Sequence, residues 1–397
     1  MPNLASILSD TAARSPASPA LRIGDSMMSY AALDGLSARA AGLLASRGIG
    51  SGDRVALLLP DIPPMAALYY GVLRLGAVAV PMNPLLGARE ITYQLADSGA
   101  PLLFAFGYED IIAHADDGAA EAGTNVIPVN TGSFRELLAA AEPRPGVVDR
   151  ADNDAAVILY TSGATGTPKG ATLSHANLRS AADAASGLLS VQDSDVLFGG
   201  LPLFHGFGQA LVMNAAVLAG ASVSLLPRFE PGTALQMIER DGVTIFAGIP
   251  AMYAAMLEHP ALGETDTSSV RSGISGTAPL PRESLEGFER AFGVQVLEAY
   301  GLAEALVSFN APVPERRPGS VGQPVPGMEV RIVDGAANDV REGEAGELVT
   351  RGEGLMLGYW NDPQTTAGAL TDGWLHTGDL ARFDEQGNIY VVGRVEV

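Results

Sequence analysis

A stretch rich in glycines and hydroxyl side chains, from Tyr160 to Gly170, has the residue types that best suit binding of an anion. Glycines let a backbone turn sharply so that several N–H groups point inward, and hydroxyl and ammonium groups add further donors and positive charge. The spacing does not fit the G-x-x-x-x-G-K-[ST] pattern of the Walker-type phosphate-binding loop. A polar surface turn is the alternative, but the chemistry favours a polyphosphate site formed by Thr161, Ser162, Gly163, Ala164, Thr165, Gly166 and Lys169.

One histidine, His205, stands in an otherwise apolar run from Leu201 to Gly208. A lone histidine in such surroundings is more often a core or loop residue than a catalytic one, because its mixed polarity tolerates partial burial. Spacing alone therefore leaves its role open. The remaining histidines show no spacing typical of a metal site.

Further stretches combine small residues with isolated charges. Residues 275–280 read Ser-Gly-Thr-Ala-Pro-Leu and have the form of an ordinary βα turn with a proline near the helix start. Residues 298–304 end in Glu304, for which a solvent-exposed strand end is the alternative interpretation. Asp379 could accept hydrogen bonds from both hydroxyls of a ribose, and Arg394 would add a donor nearby.

These stretches follow the order of the motifs in the adenylate-forming superfamily, which the sequence resembles along essentially its whole length. That family includes acyl-CoA synthetases, aryl-CoA ligases, luciferases and the adenylation domains of peptide synthetases. The resemblance implies a small-molecule carboxylic acid as substrate, with ATP/AMP, Mg²⁺ and coenzyme A as cofactors. It implies an acid–thiol ligase that forms an acyl-adenylate and pyrophosphate before a thiol takes the acyl group.

The resemblance also implies a role for each matching residue. Beyond the phosphate loop, nucleotide contacts are implied for Gly276, Thr277, Ala278, Pro279, Glu298, Ala299, Tyr300, Asp379 and Arg394, with Tyr300 stacked on adenine. Contacts with the acid are implied for His205, Gly206, Phe207, Gly301, Leu302 and Ala303. His205 and Glu304 would be catalytic, and Glu304 would hold Mg²⁺ with Thr161, because Mg²⁺ takes oxygen ligands beside phosphates.

Ala303 departs from the family pattern, which usually has a threonine there that contacts the α-phosphate. Loss of one charge-assisted hydrogen bond costs roughly 1.5–3 kcal/mol when no other donor replaces it. Ala303 therefore implies an activity that is weakened but not abolished.

The substrate is predicted from the apolar character of three segments, Phe204–Gly208, Ile249–Tyr253 and Gly301–Val307. They favour a medium-chain or long-chain fatty acid, with an aryl-propenoic acid of the coumarate kind as the alternative. Coenzyme A is the favoured acceptor, and a carrier protein with a phosphopantetheine arm is the other candidate. A different class of function is a nucleotide- and acyl-binding module with little turnover.

The composition of the chain limits which partners and which cellular compartment are expected. The chain of 397 residues has a net charge of −21, so nucleic acid and anionic membranes are disfavoured as partners. It has no cysteine, which excludes disulfides, zinc–thiolate sites and a thiol nucleophile. Neither a secretory signal nor a membrane span is apparent, because Arg74 and several glycines and prolines interrupt the apolar stretch Met65–Met82. A cytoplasmic protein is therefore expected.

Short apolar runs alternate with helix-length segments over most of the chain, which predicts an α/β fold with largely parallel sheets. We expect a first α/β subdomain over residues 1–190, which includes the phosphate loop, and a second over 191–327 with the acid and adenine pocket. Residues 328–397 show short alternating runs, typical of a small antiparallel, barrel-like unit. The resemblance implies this same arrangement.

The family continues after its Gly-Arg motif into a hinge and a small mobile domain that supplies a catalytic lysine. Here Arg394 is followed by three residues, and Lys169 does not match that lysine. The sequence therefore has the extent expected of the family's large N-terminal domain alone. On that expectation, nucleotide binding persists while adenylate and thioester formation are impaired.

Overall fold

Three β-sheets organise the chain in the computed structural model, which describes residues 3–161, 167–310 and 316–395. The strands, in chain order, are β1 (Pro19–Ile23), β2 (Ser26–Ser29), β3 (Arg54–Leu58), β4 (Val78–Met82), β5 (Leu102–Phe106), β6 (Asn125–Val129), β7 (Ala155–Thr161), β8 (Lys169–Ser174), β9 (Val196–Gly199), β10 (Ser222–Leu225), β11 (Ile245–Gly248), β12 (Ser272–Ser275), β13 (Val296–Leu302), β14 (Ala305–Phe309), β15 (Gln323–Pro324), β16 (Met328–Val333), β17 (Gly346–Gly352), β18 (Gly358–Tyr359), β19 (Leu370–Thr371), β20 (Trp374–Phe383) and β21 (Ile389–Arg394).

Helices connect most of the parallel strands. They are α1 (Ser6–Arg14), α2 (Tyr30–Ser46), α3 (Pro63–Arg74), α4 (Ala88–Ser98), α5 (Glu109–Ala122), α6 (Gly132–Ala140), α7 (His175–Leu188), α8 (Ala215–Ala219), α9 (Pro231–Asp241), α10 (Pro250–Glu258), α11 (Arg282–Phe292) and α12 (Pro363–Ala369). A π-helical segment, Gly208–Asn214, leads directly into α8, and a 3₁₀ turn spans Pro260–Glu264.

The first sheet has the strand order β18-β8-β7-β4-β3-β5-β6, and its five strands from β7 to β6 run parallel. Successive side chains of a strand point to opposite faces of a sheet. In β3, Val55 and Leu57 lie in one buried cluster, whereas Ala56 and Leu58 lie in another. Both faces of this sheet are therefore covered, which explains the uninterrupted apolar runs in its sequence.

The second sheet has the order β15-β14-β13-β12-β11-β9-β10-β1-β2 and is parallel from β13 to β1. Strand β1 pairs with β10 in the register Leu21–Val223, so the β1–β2 hairpin belongs to this sheet. The expected first subdomain, residues 1–190, is wrong in this respect. Local periodicity identifies a strand but carries no information about a partner about 200 positions away.

The third sheet is antiparallel, as predicted, with the order β16-β17-β20-β19 and with β21 beside β20. Strand β18 leaves this unit and pairs with β8 of the first sheet, in the registers Gly358–Thr172 and Tyr359–Ala171. The expected boundaries of the unit over residues 328–397 therefore also need correction. This exchange attaches the third sheet to the strand that follows the phosphate loop.

The phosphate loop connects two antiparallel strands, because β7 and β8 pair from Ala155–Ser174 to Thr161–Lys169. The sequence after the phosphate loop predicts a helix from about His175, and this prediction is confirmed as α7. The hydroxyl of its N-cap residue Ser174 accepts a hydrogen bond from the Asn177 N–H, and the Ser174 N–H donates to Asn177 Oδ1, which completes a capping box. The intervening strand β8 was not predicted from the sequence.

The apolar stretch Met65–Met82 divides, as expected, between helix α3 and strand β4. A search of residues 3–161, 167–310 and 316–395 finds no helix with both the length and the apolar character needed to cross a membrane.

His175 joins the first turn of α7 to the N-terminal segment. The ring is fully buried, and its Nδ1 accepts a hydrogen bond from the Leu4 N–H at 3.0 Å. Burial, with the positive charge of Arg150 as a second cause, lowers the pKa of His175 from 6.5 to about 4. The folded protein therefore keeps this imidazole neutral.

Replacement of His175 by asparagine should remove part of the acid sensitivity of the fold. Asparagine Oδ1 can still accept from Leu4, but the side chain cannot take up a proton. In the unchanged protein the unfolded chain binds a proton below about pH 6.5, so stability should fall by roughly 3 kcal/mol as the pH drops toward 4. Denaturant titrations across this range should show a smaller fall for His175→Asn.

The matched control is His114→Asn, because His114 is exposed on α5. This variant should lose stability with falling pH as the unchanged protein does. Parallel stability curves for His175→Asn and the unchanged chain would contradict the assignment.

Candidate functional site

A cavity of about 70 Å³ lies where helix α7, the segment after β9 and the β13–β14 hairpin meet. Most of its lining is apolar. Helix α7 and the strand before it contribute Leu173, Asn177, Leu178 and Ala181. The histidine segment, residues 201–211, contributes His205, Gly206, Phe207, Ala210 and Leu211. The other lining residues are Thr277, Ala299, Tyr300, Gly301, Leu302, Ala303, Ala305, Leu306 and Gly354. Nine of the residues predicted from the sequence motifs therefore border one space.

The segment that carries His205 is fixed two residues earlier, at Leu203. The Leu203 N–H donates to Asp61 at 2.8 Å, and the Leu203 carbonyl accepts from the Gln209 amide at 3.1 Å. The Gln209 N–H also donates to the His205 carbonyl at 3.0 Å. Burial raises the pKa of Asp61 to about 7, against the lowering effect of the bond from Leu203. These contacts orient His205 toward the cavity.

His205 is exposed to solvent, and the protein packed against its ring favours the neutral form. Its Nδ1 accepts from the Phe207 N–H at 3.3 Å, and burial lowers its pKa below the usual value. Because Nδ1 is the acceptor, Nε2 carries the proton in the neutral ring. The ring therefore offers one N–H donor to whatever occupies the cavity.

A buried polar network supports the π-helical segment behind His205. The Tyr70 hydroxyl donates to Asn214 at 2.8 Å, and the Tyr69 hydroxyl contacts both Gln209 and Asn214 at 3.3 and 3.4 Å. All four side chains are inaccessible to solvent. Two adjacent tyrosines in an apolar helix were the sequence signal for this network, since buried tyrosine hydroxyls usually need partners.

The loop of residues 275–280, in which the resemblance implies nucleotide contacts, follows β12. Thr277 has a φ of 71°, an uncommon conformation for a β-branched residue and one found mainly where function requires it. A side chain at Gly276 would lie 2.9 Å from the Phe207 ring, so this glycine permits the loop to approach the histidine segment. Ala278 and Pro279 are exposed beside it.

Glu298 lies behind the cavity rather than in it. Its side chain is 6% exposed and accepts hydrogen bonds from the backbone N–H groups of Gly319, at 2.9 Å, and of Leu280. Burial raises its pKa despite these donors. Glu298 therefore links these two loops, and its expected nucleotide contact stays a prediction.

Asp379 is linked to both of its predicted neighbours. One carboxylate oxygen accepts from the Tyr300 hydroxyl at 2.5 Å, and the other accepts from Arg394 Nε at 2.7 Å. Asp379 and Arg394 face each other across β20 and β21. Burial and the Asp379 charge raise the pKa of Tyr300 well above its usual value, so its hydroxyl remains a donor. Each Asp379 oxygen keeps lone-pair capacity for another donor.

Glu304 lies at the turn between β13 and β14 and is 9% exposed. Its Oε1 accepts from the Tyr359 hydroxyl at 2.7 Å. Glu304 and Thr161 provide hard oxygen ligands, which suit Mg²⁺ bound mainly through phosphates. Within the described ranges no group of three or more potential ligands could hold a metal ion by itself. The donor set therefore fits a metal that arrives with a nucleotide.

The phosphate loop is described only at its two ends. Ser162, Gly163, Ala164, Thr165 and Gly166 lie outside the described residues. At the exit, the Tyr93 hydroxyl of α4 donates to the Pro168 carbonyl at 2.8 Å, and the Lys169 ammonium lies 5.4 Å from the centre of the Tyr359 ring. Tyr359 was not predicted as a site residue, although Gly358-Tyr359-Trp360 before a proline-started helix was a usable signal.

Comparison with known proteins identifies the family. The family model for AMP-binding enzymes matches residues 8–360. The long-chain-fatty-acid–CoA ligase of Bacillus subtilis (strain 168) is 32% identical over 432 residues, covering 99% of this chain and 77% of the ligase. The feruloyl-CoA synthase of an Amycolatopsis species is 36% identical over 386 residues, covering 96% of this chain and 76% of the synthase.

Comparison with solved structures supports the same family. ATP-bound MatB from Rhodopseudomonas palustris superposes with a TM-score of 0.91 at 32% identity, covering 99% of this chain and 78% of MatB. The N-terminal domain of FACL13 from Mycobacterium tuberculosis gives 0.91 at 29% identity, covering 99% of this chain and all of that domain. The predicted fold class and the predicted AMP-forming acid–CoA ligase activity are confirmed. This chain therefore belongs to the family of AMP-binding enzymes, alongside the acid–CoA ligases that resemble it.

Proposed function

We propose that this chain uses ATP and Mg²⁺ to activate an apolar monocarboxylic acid, and that coenzyme A then accepts the acyl group. The observation that carries this proposal is the shared cavity. His205 and its neighbours border it on one side, and Thr277 and the segment from Ala299 to Ala303 border it on the other. An acid and a nucleotide bound to these two sets of residues would meet at one point.

The chemistry is in-line attack of the carboxylate on the α-phosphorus, which needs positioning and charge neutralisation more than covalent catalysis. Lys169 and the loop before it would hold the phosphates. Glu304 and Thr161 would hold Mg²⁺, which neutralises triphosphate charge when bound. Asp379 would accept hydrogen bonds from the ribose, and Tyr300 would lie against the adenine.

The Nε2–H group of His205 would donate a hydrogen bond to a carboxylate oxygen of the acid. The lowered pKa keeps the ring neutral near pH 7, so it would orient the acid without transferring a proton to it. A neutral donor also leaves the carboxylate its negative charge, which the attack on phosphorus requires.

The cavity lining supports an acid with an apolar body. Among its described residues there is no lysine or arginine to meet a second carboxylate, and burial of an unpaired charge is strongly unfavourable. Leu173, Leu178, Leu211, Leu302 and Leu306 make the lining mainly aliphatic, which favours a medium-chain or long-chain fatty acid.

A compact aryl acid is the second candidate, because it needs less additional space than a long chain. The partly open cavity of about 70 Å³ is less than half of the roughly 150 Å³ cavity that holds benzene in a protein core, so either acid requires the lining to adjust. A long chain would require the lining to open further. For the acceptor, coenzyme A is favoured by the relatives, and a carrier protein remains the alternative.

Binding of non-hydrolysable acyl-adenylate analogues, from acetyl to palmitoyl with feruloyl and succinyl added, tests the proposal. A fatty acid pocket should give affinity that rises with chain length, by up to about 0.8 kcal/mol per buried methylene. Ala181→Leu, which fills the cavity from α7, should remove this gain while leaving the acetyl analogue bound. Calorimetry measures both effects.

The control is Ser180→Leu on the same helix, because Ser180 lines a separate outer cleft of about 720 Å³. It should not change the dependence on chain length. Strongest binding of the feruloyl analogue would favour the aryl acid, and strongest binding of the succinyl analogue would contradict the monocarboxylate proposal. Absence of binding by every analogue would contradict the function as a whole.

Asp379→Ala should weaken binding of ATP by roughly 100-fold or more, because two hydrogen bonds to a charged acceptor, each worth about 1.5–3 kcal/mol, would be lost. The loss should be much smaller for 2′,3′-dideoxy-ATP, which lacks the two hydroxyls. Glu329→Ala removes an exposed carboxylate paired with Arg351 in the same sheet and is the control. Equal losses for both nucleotides would show that Asp379 acts through the structure instead.

Two substitutions separate the functions of the His205 ring. Glutamine places an amide N–H near the position of Nε2, whereas asparagine keeps only an acceptor near Nδ1. His205→Gln should therefore retain more affinity for an acyl-adenylate analogue than His205→Asn, with AMP affinity similar in both. The reverse order would indicate that His205 acts mainly by fixing its own loop.

A further inference from the structure

Tyr359 lies where the first sheet meets the β13–β14 turn of the second sheet. It belongs to β18, which pairs with β8, and the next residue, Trp360, donates its N–H to the Gly170 carbonyl at 2.7 Å. The Tyr359 N–H donates to the Thr366 hydroxyl at 2.8 Å. Its backbone is therefore fixed on both sides of the strand, directly beside the exit of the phosphate loop.

The side chain contacts two groups that the proposed function assigns to the triphosphate. The hydroxyl donates to Glu304 Oε1 at 2.7 Å, and the ring centre lies 5.4 Å from the Lys169 ammonium. An ammonium within about 6 Å of a tyrosine ring is attracted to its face. One side chain thus contacts both the metal-binding carboxylate and the phosphate-binding lysine.

The neighbouring backbone fixes the same carboxylate residue. The Met356 N–H donates to the Glu304 carbonyl at 2.8 Å, and the Leu357 N–H donates to the Thr172 carbonyl at 2.8 Å. The segment from Met356 to Trp360 therefore joins the β13–β14 turn to β8. Glu304 cannot move relative to the phosphate-loop strand without breaking these bonds.

We propose that Tyr359 is a positioning residue for acid activation, whose hydroxyl orients Glu304 toward Mg²⁺ and whose ring seats Lys169 beside the phosphates. This inference rests on the proposed function. The bond to Oε1 leaves the other carboxylate oxygen for the metal. Because the ring and the hydroxyl serve different partners, their contributions can be separated.

The test is the affinity for ATP by calorimetry, with Mg²⁺ and with EDTA, in the unchanged chain, Tyr359→Phe and Tyr359→Leu. Phenylalanine keeps the ring but loses the hydroxyl, so the gain in affinity on adding Mg²⁺ should shrink by about tenfold. Its affinity in EDTA should stay unchanged. Leucine loses the ring as well, so affinity should also fall in EDTA, by about three- to fivefold.

Tyr390→Phe is the matched control, because the Tyr390 ring lies 4.6 Å from the Arg382 guanidinium carbon and its hydroxyl bonds to Asp384, away from the cavity lining. Tyr390→Phe should bind ATP with the same affinity as the unchanged chain, both with Mg²⁺ and with EDTA. Thermal melting of all variants identifies any loss of folding. A purely structural role would lower stability, or would change both ATP affinities equally, and either result would overturn the proposal.

Failure of this inference differs from failure of the proposed function. If the unchanged chain binds ATP more tightly with Mg²⁺ and Tyr359→Phe gains equally, Tyr359 has no positioning role. If the unchanged chain binds no ATP under either condition, the proposed function itself fails and the positioning role fails with it.

Discussion

Two anions must approach each other in this site, and the protein around them is itself strongly negative, with a net charge of −21. A carboxylate and a triphosphate repel each other, and the overall field of the protein opposes both. In the proposed function, binding would therefore depend on donors within contact distance: the Lys169 ammonium, the Arg394 guanidinium and the His205 ring. At this range a few oriented donors outweigh distant like charges, because the Debye length in cellular salt is about 8 Å.

The fold meets this requirement by bringing together residues from all three sheets. The first sheet contributes Lys169, the second carries Tyr300 and Glu304, and the third carries Asp379. Two tyrosine hydroxyls cross the boundaries between sheets, from Tyr300 to Asp379 and from Tyr359 to Glu304. A shift of one sheet against another would break bonds within the site itself, so the geometry of the site and the packing of the sheets are interdependent.

Sequence motifs and local periodicity predicted the order of the α/β units, the antiparallel third unit and a helix from about His175. They also identified nine residues that line one cavity. They did not predict the pairing of β1 with β10, strand β8 or the transfer of β18 to the first sheet. Each of these is a pairing between strands, and no propensity of a single segment encodes its partner. The bond from the Gly319 N–H to Glu298 was not predicted for the same reason, since Gly319 lies in another loop.

Several local rules of stability are broken close to the cavity. Thr277 has a left-handed conformation, the segment after His205 is a π-helix, and Asp61 is a carboxylate buried beside it. Strained backbone costs of order 1–3 kcal/mol per residue, and π-helical segments occur often at functional sites. By contrast, β3 and β4 are apolar and buried on both faces. The parallel core thus offsets irregularities that the sequence retains where a carboxylate and a nucleotide must fit.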